Sequence, residues 1–376
     1  LLGFSMVATT FSTDTPNLVT DIVRQNGVAG NWVWWAFLIT GMVTVFLYAK
    51  LWRRTEVMTD IEFYEIRYSG KSASFLRGFR AIYLGVFFNI MIMASVSLAA
   101  IKIGGVMFGL EPWHCIVWAS LVTVIFSSLG GFRGVVFTDF LLFIMALGGS
   151  IAAAYFALGH ADVGSLKGLL ANPNIADKLS FFPAVERDAS GTLTDDNLNL
   201  WMTLIVIPLV VQWWSVWYPG AEPGGGGYVA QRMLAAKDER HATGAVLFFN
   251  FAHYGLRPWP WILVALASLV VFPMDSDLVR DNAEEMLNTP EMVELAEILE
   301  NDPGQVSEAD KQLLAGLKIQ KSGLTSLRNE FPEDAVPNDK LGHDLAYPAM
   351  LTFLPTGWLG LVLASLIAAY MSTIST

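Results

Sequence analysis

Charge is scarce in this chain. Asp, Glu, Lys and Arg together make 15% of its 376 residues, against about 25% in an ordinary soluble domain. Cysteine is scarcer still: Cys115 stands alone, which excludes an intrachain disulfide and any cysteine-based metal cluster. The histidines, His114, His160, His241, His253 and His343, form no ligand pair at helical spacing. The run Gly224 to Gly227 lacks the Gly-Lys-Ser/Thr ending of a phosphate loop and reads as a flexible link. No serine stands in a nucleophile-elbow context. These absences speak against an enzyme. The net charge of -11 points to no nucleic-acid partner either. One segment, Asp275 to Asp344, accounts for all of it, with 17 acidic residues against 6 Lys and Arg, and reads as a water-facing loop.

Apolar residues, by contrast, make up 54% of the chain, and they fall in blocks long enough to cross a bilayer. About eight membrane helices are expected, near 1–23, 31–51, 75–108, 112–129, 132–158, 198–219, 243–273 and 347–376. The first is only half a span by hydropathy and is rich in Ser and Thr. The pattern predicts an all-α multi-spanning membrane protein, whose partners are the lipid bilayer and a small-molecule solute. Nothing in it specifies an oligomeric state.

Lys50, Arg53, Arg54, Arg67, Lys71, Arg77 and Arg80 occupy one connection, Arg133 a second, and Arg232, Lys237 and Arg240 a third. If every segment crosses, all three lie on one side, which the positive-inside rule makes cytoplasmic. That implies a multi-pass protein of the cell (inner) membrane. Trp32, Trp34, Trp35, Trp213, Trp214 and Trp217 suit the headgroup level, although some could line a solute cavity. In the acidic loop, Thr289-Pro290 and Ser307 with Asp310 mark helix starts. Two short helices are expected there, as a lid or as decoration. Both ends of the chain lie inside helical patterns, with no initiator methionine, signal peptide or cap. They read as cuts in a longer polypeptide.

Three polar features inside apolar segments invite chemistry. The run Ala8-Thr9-Thr10-Phe11-Ser12-Thr13-Asp14-Thr15-Pro16 weakens its helix at mid-membrane, where Pro16 removes a donor and frees carbonyls one turn earlier. Irregular backbone at that depth survives only inside protein or along a cavity, and freed carbonyls suit a hard cation. The stretch Ala368-Ala369-Tyr370-Met371-Ser372-Thr373 offers two adjacent hydroxyls. Bonding back to their own helix is the simpler reading of those hydroxyls; a cation site becomes credible beside a broken first helix. Asp139, an ionisable residue in the fifth span, is a functional candidate by default. An interfacial ion pair is the rival account.

At this point the residues resemble the sodium:solute symporter family, which includes sodium-coupled sugar and proline transporters. The likeness is carried by Gly3-Phe4-Ser5-Met6-Val7-Ala8 with Ser12, by Thr59-Asp60-Ile61-Glu62-Phe63-Tyr64-Glu65-Ile66-Arg67-Tyr68, and by Leu129-Gly130-Gly131-Phe132-Arg133-Gly134-Val135-Val136-Phe137-Thr138-Asp139. Gln231-Arg232-Met233-Leu234-Ala235-Ala236-Lys237 and the stretch from Leu359 to Thr373 complete it, in the family's order.

The resemblance implies an inverted-repeat (LeuT-like) transporter core, incomplete at both ends, with ligands held at broken helices near the midplane. Residues 1–158 would form the first five-helix repeat, broken near 9–16, followed by an extracellular loop at 159–197. Residues 198–376 would supply three helices of the second repeat, with a cytoplasmic loop at 220–242 and the acidic extracellular loop at 274–346.

It further implies Na+, held by the carbonyls of Ala8, Phe11 and Ala369 and the hydroxyls of Ser372 and Thr373. The three-residue spacings from Ala8 to Phe11 and from Ala369 to Ser372 put each pair on one helix face. Asp139 would lie on the ion-release pathway. Thr10, Thr15, Trp34, Gln212 and Ser215 are solute-site candidates by position only, because the family's sugar-binding side chains are not matched. The expected function is sodium-coupled symport of a small polar solute such as a sugar. The alternatives are an amino acid or carboxylate symporter, a symporter-like sensor fused to a signalling module, or proton coupling through Asp139.

Overall fold

A computed structural model describes residues 1–10, 12–188, 191–214, 227–333 and 336–375. The described residues are almost entirely helical, and the only β pairing among them is an isolated bridge between Arg187 and Leu193. Five of the helices are long and apolar enough to cross a membrane.

The chain opens with α1 (Leu2–Thr10) and α2 (Asp14–Asn26). Regular helix stops between them, in the hydroxyl-rich run before Pro16. Gly27, at φ 67° and ψ -166°, turns the chain into α3 (Val28–Thr55), which α4 (Gly70–Phe108) follows. Residues 112–158 form two helices, α5 (Pro112–Ile125) and α6 (Gly131–Leu158). Gly131, at φ 54° and ψ -179°, makes the kink, a conformation only glycine adopts cheaply. Next come α7 (residues 195–210), the short α8 (Gly227–Leu234) and α9 (Glu239–Val271).

The acidic loop folds into three helices of eleven residues or more, α10 (Asp277–Leu287), α11 (Pro290–Asn301) and α12 (Glu308–Lys321). The sequence led us to expect two. The box at the start of α12 closes as its spacing predicts: Ser307 Oγ accepts from the Asp310 amide at 3.2 Å and donates to Asp310 Oδ2 at 2.7 Å. The last helix, α13 (Thr356–Ile374), starts nine residues later than the expected 347, because Pro355 sits at its N-cap. Ala346–Leu351 is a separate short helix between the acidic segment and α13.

The core is the packing of α1 and α2 against α6, α9 and α13. Burial by small residues is its signature: Ala8, Ala146, Ala153, Ala265, Ala267 and Ala369 are all buried, which lets membrane helices approach closely. The connections gather at two ends. At one, Arg54 pairs with Glu239 at 2.6 Å and Gly227 donates to Asp60 at 3.4 Å, so the basic connections meet. At the other, Lys178 donates to Gln25 O, Trp32 to Phe181 O and Lys102 to Asp344. This brings the 159–197 and acidic segments together.

Candidate ion and solute site

The two polar stretches, 364 positions apart in the chain, touch: the Thr373 hydroxyl of α13 donates to the Thr9 carbonyl of α1 at 3.0 Å. One residue back, the Ser372 hydroxyl donates to Asp139 Oδ1 of α6 at 2.7 Å, and Ser5 of α1 donates to Asp139 Oδ2 at 2.5 Å. Ser5, Asp139 and Ser372 are each no more than 1% exposed. A carboxylate buried this deeply needs donors and a counter-charge. Arg232 of α8 supplies the charge, with Nη2 3.7 Å from Asp139 Oδ2. Its Nε donates to Ser5 Oγ and its Nη2 to Thr9 Oγ1, both at 3.1 Å.

Of the expected ion ligands, Ala8 and Ala369 are buried on the facing helices α1 and α13, and Ser372 and Thr373 lie beside them. Phe11 lies outside the described residues. These are neutral oxygen donors, the set a hard monovalent cation accepts, and they adjoin one carboxylate. Among the described residues no three His, Cys, Asp or Glu side chains cluster as a transition-metal site.

Beside this cluster, at the α1–α2 break, lies a cavity of about 410 Å³. Thr10, Thr15 and Trp34 line it, as do Asp14, His253 and Tyr254. Trp34 stacks on Tyr254 with centroids 5.9 Å apart. Gln212 does not line it; it sits in the 212–214 turn, whose Trp213 carbonyl accepts from Thr40 of α3. Ser215 lies outside the described residues.

Sequence reasoning passed over Arg257 of α9. Its guanidinium, 2% exposed, donates to the Val7 carbonyl at 2.6 Å and the Thr10 carbonyl at 3.3 Å, and lies 5.1 Å from the Trp261 ring centroid. It therefore takes up carbonyls that the end of α1 leaves free. The signal was present, since Arg257 is the only Lys or Arg between Thr243 and Pro273. Arg232 and Tyr228 were legible only as part of a basic connection.

The architecture is that of a membrane transporter. Its fold matches a solved Na+-coupled sialic acid symporter in a substrate-bound outward-open state, with a TM-score of 0.62 at 16% identity, covering 100% of this chain and 62% of that one. The chain belongs to the sodium:solute symporter family, whose model matches residues 2–270. It is 23% identical to the human sodium/myo-inositol cotransporter 2 over 90% of this chain, and 23% identical to the Vibrio parahaemolyticus sodium/glucose cotransporter over 91%. It spans 42% and 52% of those relatives' length, about half.

Proposed function

We propose that this chain is the ion-binding core of a sodium-coupled symporter that carries a small polar organic solute across the cell membrane by alternating access. Residues 1–158 and 198–376 are the two repeats of that core, the second contributing three helices. Sodium, a co-transported substrate, is held by the carbonyls of Ala8, Phe11 and Ala369 and the hydroxyls of Ser372 and Thr373. Asp139 sits behind the ligands and accepts from Ser372, which orients that hydroxyl's lone pairs towards the ion. Neutral ligands give a site weak enough to release its ion on each cycle.

The observation that carries this reading is the Thr373–Thr9 hydrogen bond, which seats the α13 hydroxyls on the broken end of α1. Thr10, Thr15 and Trp34 face the solute. A sugar or related polyol is the class we favour: hydroxyls and one carboxylate line the cavity, aromatic rings wall it, and relatives are named for inositol and glucose. Each sodium moving down about 100 mV contributes roughly 2.3 kcal/mol, enough for tens-fold accumulation.

Radiolabelled uptake by the full-length protein in proteoliposomes tests the proposal, with sugars, amino acids and carboxylates offered in turn. Accumulation of one class driven by an inward sodium gradient is the expected result. Sodium-dependent binding without accumulation would favour a sensor instead, and accumulation indifferent to sodium would sink the ion assignment.

A further inference from the structure

At the start of α1, apart from the ion and solute site, a groove of about 520 Å³ runs between that helix and α9. Leu1, Leu2 and Phe4 wall one side, and Gly244, Ala245 and Phe248 the other. Its floor is closed: Phe4 packs on Phe248 with centroids 4.4 Å apart, and a Cβ on Gly3 would lie 2.8 Å from the Ala245 carbonyl oxygen. Its front is open. Leu1 is 64% exposed, and a Cβ on Gly244 would meet nothing within 4 Å.

Lys237, Arg240 and His241 line the groove at the end where the basic connections gather, and all three are exposed. The acids around them are already engaged. Asp238 accepts from the His241 amide at 2.9 Å and lies 2.8 Å from its Nδ1, while Glu239 pairs with Arg54. Among the described residues, Lys237 and Arg240 have no acidic partner. Away from this end the surface of α9 turns apolar. Arg240, Gly244, Leu247 and Phe251 recur at helical spacing and so share a face, with Leu247 48% and Phe251 66% exposed. Arg240 to Phe251 covers about 16 Å of helix, close to half of the roughly 30 Å hydrocarbon core and so the reach of one acyl chain.

We infer that this groove binds one anionic phospholipid of the cytoplasmic leaflet, such as phosphatidylglycerol. The headgroup phosphate sits between Lys237 and Arg240, and an acyl chain runs over Gly244 towards Phe251. Each part of the lipid meets its own chemistry. Unpaired bases at a span end attract an anionic headgroup, and basic pockets between membrane helices are where such headgroups bind. A zwitterionic lipid would bring its own ammonium up against the same two bases. The apolar walls are covered by the chain, which leaves no apolar surface facing water at the membrane boundary. The inference needs the bilayer and the orientation set by the basic connections. It does not need the symport reading, and the two fail separately.

Photo-cross-linking tests it, on the full-length protein in phosphatidylcholine nanodiscs doped with phosphatidylglycerol that carries a diazirine in one acyl chain. Labelling of 244–251 should saturate as the probe's mole fraction rises, whereas the same diazirine on phosphatidylcholine should label only in proportion to its amount. Lys237→Gln with Arg240→Gln should raise the half-saturating fraction about thirtyfold, roughly fivefold for each base. Gly244→Trp puts a ring into the groove where a Cβ meets no neighbour, so saturable labelling should vanish with both bases intact. Lys237 and Arg240 are exposed, so their double variant carries the test alone if Gly244→Trp does not fold. Equal labelling by the two probes, or saturable labelling that survives in a folded variant, overturns the inference. Wild type unlabelled in this segment overturns it too, because the protein then fills the groove with a segment of its own.

Discussion

An ionisable side chain at the centre of a bilayer costs roughly 2.5–3.5 kcal/mol even by the mildest scales, so each one here needs a structural reason. Asp139 has three: two serine hydroxyls and a guanidinium. Arg257 has the two carbonyls at the end of α1. The hydroxyls of Ser372 and Thr373 are spoken for in the same way, one by Asp139 and one by Thr9. Hydroxyl oxygens can donate in these bonds and still offer lone pairs to an ion. Replacing both, Ser372→Ala with Thr373→Ala, takes away the two proposed hydroxyl ligands and a donor to a buried carboxylate. Each loss is worth about 1–3 kcal/mol, so the sodium concentration for half-maximal uptake should rise at least tenfold while the protein still folds. Uptake with wild-type sodium dependence would refute the ligand assignment. Ser372 and Thr373 could be picked out of the sequence because hydroxyls are conspicuous in an apolar helix. Arg232 could not, because a basic residue near a span end has an ordinary explanation in orientation, and only the fold shows that it turns inward.

At the scale of elements, the helix boundaries that breakers specify were the easiest to read. Ser307 and Asp310 start α12 as their spacing requires, whereas the start of α13 was missed because the apolar run across 347–354 hides Pro355. The regular helix of the first span stops in the run before Pro16, where hydroxyls offer the backbone other partners. Glycines fixed joints that hydropathy cannot see. Gly27 joins α2 to α3 at a positive φ that is nearly glycine-only, and a Cβ there would lie 2.7 Å from the Lys178 carbonyl and 2.8 Å from its Cα. Neither of those backbone atoms can move aside cheaply. Gly27→Ala should therefore cost about 2 kcal/mol or more and lower the thermal unfolding temperature of the purified full-length protein by several degrees. An unchanged unfolding temperature would mean that the 173–178 turn yields freely.

At the scale of the molecule, the two ends are built differently. One is a meeting of basic connections around α8; the other is a folded acidic domain locked onto the spans by buried polar bonds. The sequence announced the acidity of that second end but not its anchor, since no local pattern links residues 319 positions apart. The anchor is His343, whose Nδ1 accepts from Arg24 Nε of α2 at 3.3 Å, while the same guanidinium donates to the Ser268 and Phe272 carbonyls of α9. Burial, and then the neighbouring Arg24 charge, push the His343 imidazole down from 6.5 to about 4. Arg280 and Lys178 add smaller pushes the same way, and a hydrogen bond from the ring to the Ser322 backbone opposes them. Next to it, Asp344 is paired with Lys102 at 2.6 Å. A histidine held neutral in the fold binds its proton more readily when unfolded. Its contribution is therefore complete above about pH 6.5, is lost progressively as the pH falls towards 4, and is flat below that. The loss is on the order of 3 kcal/mol. His343→Gln keeps an acceptor for Arg24 but cannot titrate, so the difference in unfolding temperature between wild type and variant should shift against wild type between pH 7 and 4.5. Carboxylates that titrate in the same range act on both proteins and cancel. Parallel curves would mean that His343 is solvated, and that the acidic domain is held to α2 by something other than this bond.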